Sequence, residues 1–364
     1  MIDPNLSINI AGINLKFPTI LSSGPLTRDG GSIKKVKSFN GIGAIVIKTV
    51  KESDKDTPRP SMVMVKGNLL NYDWQALSVE KWIKKELKLA KETGIPIIAN
   101  ALASDIDTTI NIAKSLELAG ADMFELPAPR NIALDQLEAW IKELKKELSI
   151  PLIIKVKPDF QRIDEYAKVI ERSGADAISG IDTLGPGLAI DIYTGKPLLG
   201  SKYGYGYLSG SAIKPIALRC ISEISRAAKI PVIGGGGIID WKDAIEMFMV
   251  GASAIHIHTA AILRGLKVFQ EIVNGIKDFM KAQGYSELKD LIGLSLKYLQ
   301  EEPKYELHKP MFNFNLCNSC GLCGRICIYE AISIKDRKPI LDENKCFGCG
   351  LCASACPTRA IKLI

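Results

Sequence analysis

Short apolar runs and amphipathic runs alternate regularly along most of the chain, from residue 19 to residue 281. The short runs are typical of strands that are buried on both faces, and the amphipathic runs repeat their apolar positions with a helical period. The predicted strands are 19–22, 44–48, 96–100, 122–126, 152–156, 176–181, 231–234 and 254–257. The predicted helices lie near 31–39, 79–93, 106–119, 133–148, 162–173, 213–228, 240–250 and 261–281. Several helices end in glycine before a buried run, as in Ala119-Gly120-Ala121-Asp122, which indicates repeated βα units.

This repetition predicts an α/β fold, a (β/α)8 TIM barrel whose active site lies at the carboxyl ends of its strands. An open doubly wound sheet is the alternative. It would want a phosphate-binding G-x-G-x-x-G after the first strand, and Ser22-Ser23-Gly24-Pro25 does not supply one. Residues 7–17 predict a short hairpin before the barrel. Two loops, 50–77 and 182–211, are too long to be mere connections and are expected to carry function.

The end of the chain has a different character, because eight of the nine cysteines lie in its last fifty residues. They form two runs with C-x2-C-x2-C-x3-C spacing, which is typical of bacterial ferredoxins with two 4Fe–4S clusters. The first run is followed by Ile328 where a proline is usual, and the second by Pro357. We therefore divide the chain into a barrel (1–283), a linker with a helix at 287–300 (284–315), and a small α+β ferredoxin-like domain (316–364).

In the ferredoxin pattern the fourth cysteine of each run binds the other cluster. The expected ligand sets are thus crossed: Cys317, Cys320, Cys323 and Cys356 for one cluster, and Cys346, Cys349, Cys352 and Cys327 for the other. Structural zinc would want separated C-x2-C pairs, and disulfides would want an oxidising compartment. Neither alternative explains two identical four-cysteine runs.

Composition describes an ordinary globular protein, with 47% hydrophobic and 24% charged residues among 364. No apolar run approaches the roughly 20 residues of a membrane span, and the opening Met1-Ile2-Asp3-Pro4 does not resemble a signal peptide. A cytoplasmic location is expected, since iron–sulfur clusters suit a reducing compartment. The net charge of +7 is spread over helix surfaces such as Lys84-Lys85, so nucleic-acid binding is not expected.

The ends of the last two predicted strands carry a candidate phosphate site. Gly236 and Gly237 follow the seventh strand, and His258 and Thr259 follow the eighth. Glycine lets backbone N–H groups approach a phosphate, and barrels often bind phosphate after strands seven and eight. The alternative is that these glycines only make a tight turn.

Two lysines lie inside apolar strands at the end that faces the predicted site. Lys48 ends the second strand and Lys155 ends the fifth. Beside a phosphate site, such cations suit the negative charge of a reduced flavin. A salt-bridged core lysine is the alternative for each.

These features resemble the dihydroorotate dehydrogenase and dihydropyrimidine dehydrogenase flavoproteins over essentially the whole barrel. The resemblance is carried by Ser22-Ser23-Gly24-Pro25, Ile47-Lys48-Thr49, Gly67-Asn68, Ile154-Lys155-Val156, Tyr207-Leu208-Ser209-Gly210, Ile213 to Arg219, Pro231 to Gly237 and Gly251 to Thr259. It implies FMN in the barrel. The residues implied to contact it are Ser23, Gly24, Lys48, Thr49, Asn68, Asn100, Lys155, Ser209, Gly210, Gly236, Gly237, His258 and Thr259. The arrangement of a barrel with a trailing two-cluster ferredoxin most resembles the flavin and iron–sulfur part of dihydropyrimidine dehydrogenases.

The chain departs from the family around the substrate. After the fourth strand the family has Glu-Leu-Asn and a loop with a Cys or Ser that handles a proton, whereas this chain has Glu125-Leu126-Pro127 running on to Asn131. Asp182 replaces the family's asparagine after the sixth strand, and His258 stands where glycine is usual. The remaining cysteine, Cys220, lies in a helix and is expected to be a packing residue.

Three residues are candidates for substrate chemistry. Asp182 is expected to act as a base or to anchor a substrate group, or else to hydrogen-bond a loop. Tyr203 belongs to a tyrosine-rich loop whose phenols reach the flavin or form a structural cluster. Arg130 suits a substrate carboxylate or lies at the surface.

The leading hypothesis is an FMN-dependent oxidoreductase that acts on a CH–CH bond and exchanges electrons through two 4Fe–4S clusters. Its expected partners are a small-molecule substrate and either a ferredoxin or an FAD- or NAD(P)H-binding subunit; a homo-oligomer is compatible with the sequence, and a membrane is not expected. The alternative is an electron-transfer subunit of a larger complex with no substrate chemistry of its own.

Overall fold

Eight parallel strands close into a barrel in chain order, which confirms the predicted fold class. The structure, a computed structural model, describes residues 3–158, 162–299 and 302–364. The barrel strands are Thr19–Leu21, Ala44–Val46, Ile97–Asn100, Met123–Pro127, Leu152–Lys155, Ala177–Gly180, Val232–Gly235 and Ala254–Ile257. The last strand pairs with the first, so no strand edge is left open. Each strand is buried along nearly its whole length, which explains the apolar runs.

The helices between the strands follow the amphipathic runs closely. The α-helices of this part of the chain are Gly30–Lys34, Val79–Lys81, Leu87–Lys91, Ile106–Leu118, Leu134–Glu147, Ile163–Arg172, Lys214–Ala227, Trp241–Met249, Thr259–Arg264 and Val268–Gln283. The helix predicted at 79–93 passes through a π-helical turn at Trp82–Glu86. The prediction of one helix at 261–281 is wrong, because Gly265 ends the first helix with a φ of 81° and a second helix begins at Val268.

The two ends of the barrel are closed differently. The predicted hairpin, Ile8–Ile10 with Ile13–Leu15, packs Ile10 and Leu15 against the interior side chains of the barrel. At the other end the two long loops form a four-stranded antiparallel sheet instead of irregular structure. Its strands are Met62–Val65, Asn68–Asn71, Leu184–Leu188 and Tyr205–Ser209. A cavity opens at the carboxyl end of the barrel, beneath this sheet.

The chain divides into two compact units, Met1–Leu299 and Gln300–Ile364. The helix predicted at 287–300 is wrong: the described residues there form two 3-10 turns, Leu288–Asp290 and Leu296–Tyr298, and residue 300 lies outside the described residues, as do Met1 and Ile2. The second unit contains two antiparallel strand pairs and two one-turn helices. These are Pro310–Phe312 with Ile361–Leu363, Ile332–Lys335 with Lys338–Leu341, and the helices Leu322–Arg325 and Leu351–Ser354.

Across residues 3–158, 162–299 and 302–364, every helix is too short or too polar to cross a membrane.

Candidate active site and cluster pockets

A cavity of ≈ 450 Å³ lies at the carboxyl ends of the barrel strands, beneath the four-stranded sheet. Its size is in the range of protein sites for small molecules and cofactors. The structure brings nearly all of the residues predicted to hold a flavin to its wall. They are Ser23, Gly24, Lys48, Thr49, Asn100, Lys155, Ser209, Gly210, Gly236, Gly237, His258 and Thr259. Because parallel strands end on the same side of a barrel, residues far apart in sequence meet here.

Asn68 is the exception, because it lies behind the cavity wall. Its side-chain oxygen accepts a hydrogen bond from the backbone N–H of Ala212 at 2.9 Å, and from the Ser211 hydroxyl at 3.3 Å. A side chain on Gly210 would meet that same oxygen at 2.8 Å. Asn68 therefore positions the loop that carries Gly210, and its predicted contact with a flavin stays a prediction.

The two strand-end lysines have different partners. Lys48 Nζ forms a buried ion pair with Asp73 Oδ2 at 2.8 Å and also donates to the Asp73 carbonyl at 2.9 Å. Lys48 is therefore a salt-bridged core lysine, which was the alternative to a cation that contacts the flavin. Lys155 Nζ donates to the Ser22 hydroxyl at 3.4 Å and, among the described residues, forms no ion pair with a carboxylate within 4 Å. Its charge acts on Asp182 from a longer distance. Lys155 is the stronger candidate for stabilising an anionic ring.

The end of the cavity predicted to hold phosphate is formed by closely packed backbone. Gly236 and Gly237 have φ values of 112° and 83°, in the region that favours glycine. A side chain at Gly237 would meet Lys214 at 2.7 Å, and one at Gly236 would meet Ala217 and Ile181 at 2.9 Å. On the adjacent strand end, the Thr259 hydroxyl donates to Ser209 Oγ at 2.8 Å. The loop is therefore fixed in one shape with its backbone facing the cavity.

Two histidines, His256 in the eighth strand and His258 directly after it, line the cavity and are held neutral. Burial, and then the charge of Lys155, lowers the pKa of His256 to about 3; burial and Lys48 lower that of His258 to about 3. His256 Nε2 bonds the Gly180 carbonyl at 3.2 Å, and His258 Nδ1 bonds the Ser22 carbonyl at 2.9 Å. A neutral His258 gives a phosphate no extra positive charge. Its ring instead packs against Gly24, where a side chain would meet it at 2.3 Å.

A charged group of side chains occupies the cavity wall where the family resemblance places the substrate. Burial alone would raise the pKa of Asp182, but Lys155, the Thr183 backbone N–H, Lys157 and Arg130 together lower it. Arg130 lies over the ring of Tyr207, with its guanidinium carbon 4.5 Å from the ring centroid. Asp182 is therefore an anion inside a predominantly cationic wall.

Tyr203, predicted to act at the site, lies outside the cavity wall. It is 69% exposed and its ring packs on Tyr205, at 5.6 Å between centroids. Tyr207, two residues further along the same strand, faces the cavity instead. The alternation of glycine and tyrosine does not determine which phenol faces the cavity, and the structure places Tyr207 in the cavity wall instead of Tyr203. A role of Tyr203 in the chemistry stays a prediction.

The sequence reasoning missed Lys157, a buried cation of the cavity wall that donates to the Ala128 carbonyl. Its signal was available, because Lys157 follows Lys155 by two residues, and such residues point to the same side of an extended chain. Trp74, which packs edge-on against Tyr207, was missed as well.

The residues of the cavity fit an FMN molecule. Asn100 donates through Nδ2 to Glu125 at 2.7 Å, and its own buried oxygen has no protein partner among the described residues. Such an atom on a cavity wall suits a ligand donor, as expected of a ring with N–H groups. Lys155 supplies a cation, and the glycine loop supplies backbone at the other end. These are the three kinds of contact that a phosphorylated flavin requires.

The second unit contains two small pockets, each walled by four cysteines. Cys317, Cys320, Cys323 and Cys356 line one pocket. Cys346, Cys349, Cys352 and Cys327 line the other. The crossed grouping expected from the spacing is therefore the grouping of the fold. Within the described residues no three His, Cys, Asp or Glu side chains converge closely enough to bind a single metal ion. The four cysteines of each pocket therefore enclose a space wider than a single-ion site.

Comparison with known proteins agrees with both units. The family model "Dihydroorotate dehydrogenase" matches residues 5–280, and "4Fe-4S binding domain" matches residues 339–362. The chain is similar to dihydroorotate dehydrogenase B (NAD(+)), catalytic subunit, from Pyrococcus horikoshii, with 34% identity over 314 residues that cover 82% of this chain and 100% of that protein. The protein of the same description from Methanosarcina mazei is 34% identical over 80% of this chain and 95% of its own length. That from Thermococcus kodakarensis is 35% identical over 80% and 98%.

Proposed function

Because the chain belongs to the dihydroorotate dehydrogenase family, we propose that it is an FMN-dependent oxidoreductase for the CH–CH bond of a dihydropyrimidine such as dihydroorotate. We further propose that it exchanges electrons with a protein partner through two 4Fe–4S clusters. The observation that carries this proposal is that one cavity gathers nearly all of the predicted flavin residues together with Asp182, Arg130 and Lys157. The charged wall favours an enzyme with substrate chemistry over a subunit that only transfers electrons.

The side chains of the cavity divide into two tasks. When bound, FMN supplies two-electron hydride chemistry and the ability to exchange single electrons. Lys155 supplies positive charge for the reduced ring, Asn100 a polar contact, and the Gly236-Gly237 loop a backbone site for phosphate. Asp182, Arg130 and Lys157 are left for the substrate. We assign none of these three to the flavin.

The charges of the substrate side suit a cyclic acid with ring N–H groups. Arg130 and Lys157 favour a carboxylate, and a guanidinium can bind one through two parallel hydrogen bonds. Asp182 is an acceptor that favours an N–H donor. A carboxyl group with a lowered pKa is a weak general base, so Asp182 is better suited to orienting the substrate than to removing its proton. Dihydroorotate carries both a carboxylate and ring N–H groups.

The cysteine domain implies a one-electron partner. The relatives are described as catalytic subunits with NAD(+) in their name, which supports a separate subunit or carrier for the electrons of this chain. We propose a ferredoxin or a flavin- and nicotinamide-binding subunit in that role, since the sequence has no dinucleotide fingerprint after a barrel strand.

Anaerobic stopped-flow spectroscopy of the reconstituted protein tests the proposal. Dihydroorotate is expected to bleach the flavin absorbance, and dihydrouracil, which lacks the carboxylate, to do so more weakly. Flavin that stays oxidised with both compounds, and reduced flavin that is not reoxidised by orotate or uracil, would refute substrate chemistry and leave the electron-transfer subunit as the function. Iron and sulfide analysis, with about eight of each expected per chain for two cubane clusters, tests the cluster count independently.

A further inference from the structure

The two cysteine pockets are built from an internal repeat, which allows them to be compared position by position. Each residue of the second run has a counterpart 29 positions earlier, since 346 − 317 = 29 and 356 − 327 = 29. The one-turn helices Leu322–Arg325 and Leu351–Ser354 obey the same offset, and each begins after a glycine with positive φ. Differences between the two pockets therefore come from side chains rather than from the fold.

One contact is common to both pockets. The Ala360 N–H donates to Cys356 Sγ at 3.3 Å, and its counterpart, the Ala331 N–H, donates to Cys327 Sγ at 3.3 Å. This backbone contribution does not distinguish the clusters.

The first pocket has a polar wall. The hydroxyl of Thr358 lies 3.7 Å from Cys356 Sγ, and the Ser319 N–H donates to Cys317 Sγ at 3.4 Å. Arg337 adds a positive charge to the same wall. This arginine is the second residue of a two-residue hairpin turn, with φ values of 48° at Asp336 and 62° at Arg337. Such turns favour Asn-Gly, so an arginine there is not explained by the turn itself.

The second pocket has an aromatic wall at the equivalent positions. Tyr329 takes the place of Thr358, and Phe347 takes the place of Asn318. Their rings stack at 4.9 Å between centroids, with 21° between the planes, and both line the pocket. Among the described residues neither ring donates a hydrogen bond to a cysteine sulfur, and the lining of this pocket contains no charged side chain.

These differences have a direct electrostatic consequence. Reduction adds one negative charge to a cubane cluster, and hydrogen bonds to its sulfurs or a nearby cation stabilise that charge. An apolar wall disfavours it. The first pocket should therefore hold the more easily reduced cluster.

We propose that the two clusters are not equivalent, and that the one held by Cys317, Cys320, Cys323 and Cys356 has the higher reduction potential because of Arg337 and Thr358. This inference rests on the proposed two-cluster function. The electron of a singly reduced cysteine unit then resides mainly on the first cluster. Arg337 and Thr358 are positioning residues that act through the cluster.

Redox titration of the full-length protein with dithionite, followed by electron paramagnetic resonance, tests this inference. The wild type should show two resolved one-electron midpoints. Arg337→Gln should lower only the upper midpoint, with about a threefold fall in the reduced-to-oxidised ratio at the wild-type midpoint, or about 28 mV for one electron. Lys335→Gln, which removes a charge on the same hairpin away from the pocket wall, is the matched control and should shift neither.

A second pair of variants uses the repeat itself. Thr358→Val should lower the upper midpoint, whereas Tyr329→Phe, at the equivalent place beside the other cluster, should leave both unchanged. Coincident wild-type midpoints, or a shift of the lower midpoint in Arg337→Gln, would overturn the inference. A preparation with about four irons per chain would instead refute the two-cluster proposal.

Discussion

Asp182 is the residue whose surroundings say most about the substrate. Its carboxylate is an anion in a wall that also contains Lys155, Lys157 and Arg130, and their charges outweigh the effect of burial on its pKa. It therefore stays ionised below the ordinary carboxyl range. An ionised acceptor strengthens a hydrogen bond from a substrate N–H but has little tendency to take a proton.

We expect Asp182→Asn to weaken substrate binding by about tenfold, because the amide still accepts a hydrogen bond but without the charge. The limiting rate of flavin reduction should change much less. Substrate concentration series in stopped-flow experiments measure the two quantities separately. Asp191→Asn, at a half-buried loop carboxylate that does not line the cavity, is the control and should alter neither. A collapse of the limiting rate with unchanged binding would instead make Asp182 the base.

His256 predicts a pH dependence of stability. Its folded pKa of about 3 lies below the ordinary value of 6.5, so the unfolded chain binds more protons between these values and stability falls as the pH falls through that window. Between pH 7.5 and pH 5.0 the loss is on the order of 2 kcal/mol for this histidine. Urea unfolding followed by tryptophan fluorescence reports on the barrel unit, where all four tryptophans lie. His256→Asn should remove that part of the loss, and His308→Asn, in the other unit, should not.

At the scale of secondary structure, the sequence predicts the barrel well and the sheet above it poorly. Because the barrel strands are buried on both faces, their apolar runs are easily recognised in the sequence. At the majority of strand ends, the observed boundary differs from the predicted one by one or two residues. The strand Leu184–Leu188 contains Gly185, Pro186 and Gly187, a composition that favours loops. It forms only because Tyr205–Ser209 provides a partner, and such pairing depends on tertiary structure.

The loop after the seventh barrel strand gives a prediction at this scale. Gly237→Ala would place a methyl group in a left-handed conformation and 2.7 Å from Lys214, so the loop must move. We expect FMN affinity to fall at least tenfold, measured by fluorescence quenching with the apoprotein. Gly120→Ala is the matched control: it has a φ of 102° and nothing within 4 Å, so it should cost about 1 kcal/mol of stability and leave FMN binding unchanged. Equal losses of affinity in both variants would contradict a role for the loop in binding.

At the scale of the whole molecule, the barrel topology determines where the site lies. The chemistry of the site depends on side-chain contacts that the topology does not determine. Any barrel brings the ends of its strands together, so the sequence suffices to predict that most of the residues implied by the family resemblance meet at one cavity. The ion pair of Lys48 with Asp73 joins a strand end to the sheet above the barrel, and the orientation of Tyr207 depends on that sheet's register. Neither the partner of Lys48 nor the orientation of Tyr207 can be predicted without knowing how this sheet is paired.

The cysteine unit gives the last prediction, because its fold makes each pocket depend on a residue far along the chain. Cys356 is the fourth cysteine of the second run but lines the pocket of the first. We expect Cys356→Ser to disturb the cluster of Cys317, Cys320 and Cys323, and Cys327→Ser to disturb the other. Electron paramagnetic resonance of each reduced variant should show the loss or change of a different one of the two signals. Cys220→Ser, at a buried cysteine of the barrel unit, should preserve both signals and the full iron content. If Cys356→Ser altered the cluster of its own run and spared the other, the ligation would be sequential, and the pocket walls would not correspond to the bound clusters.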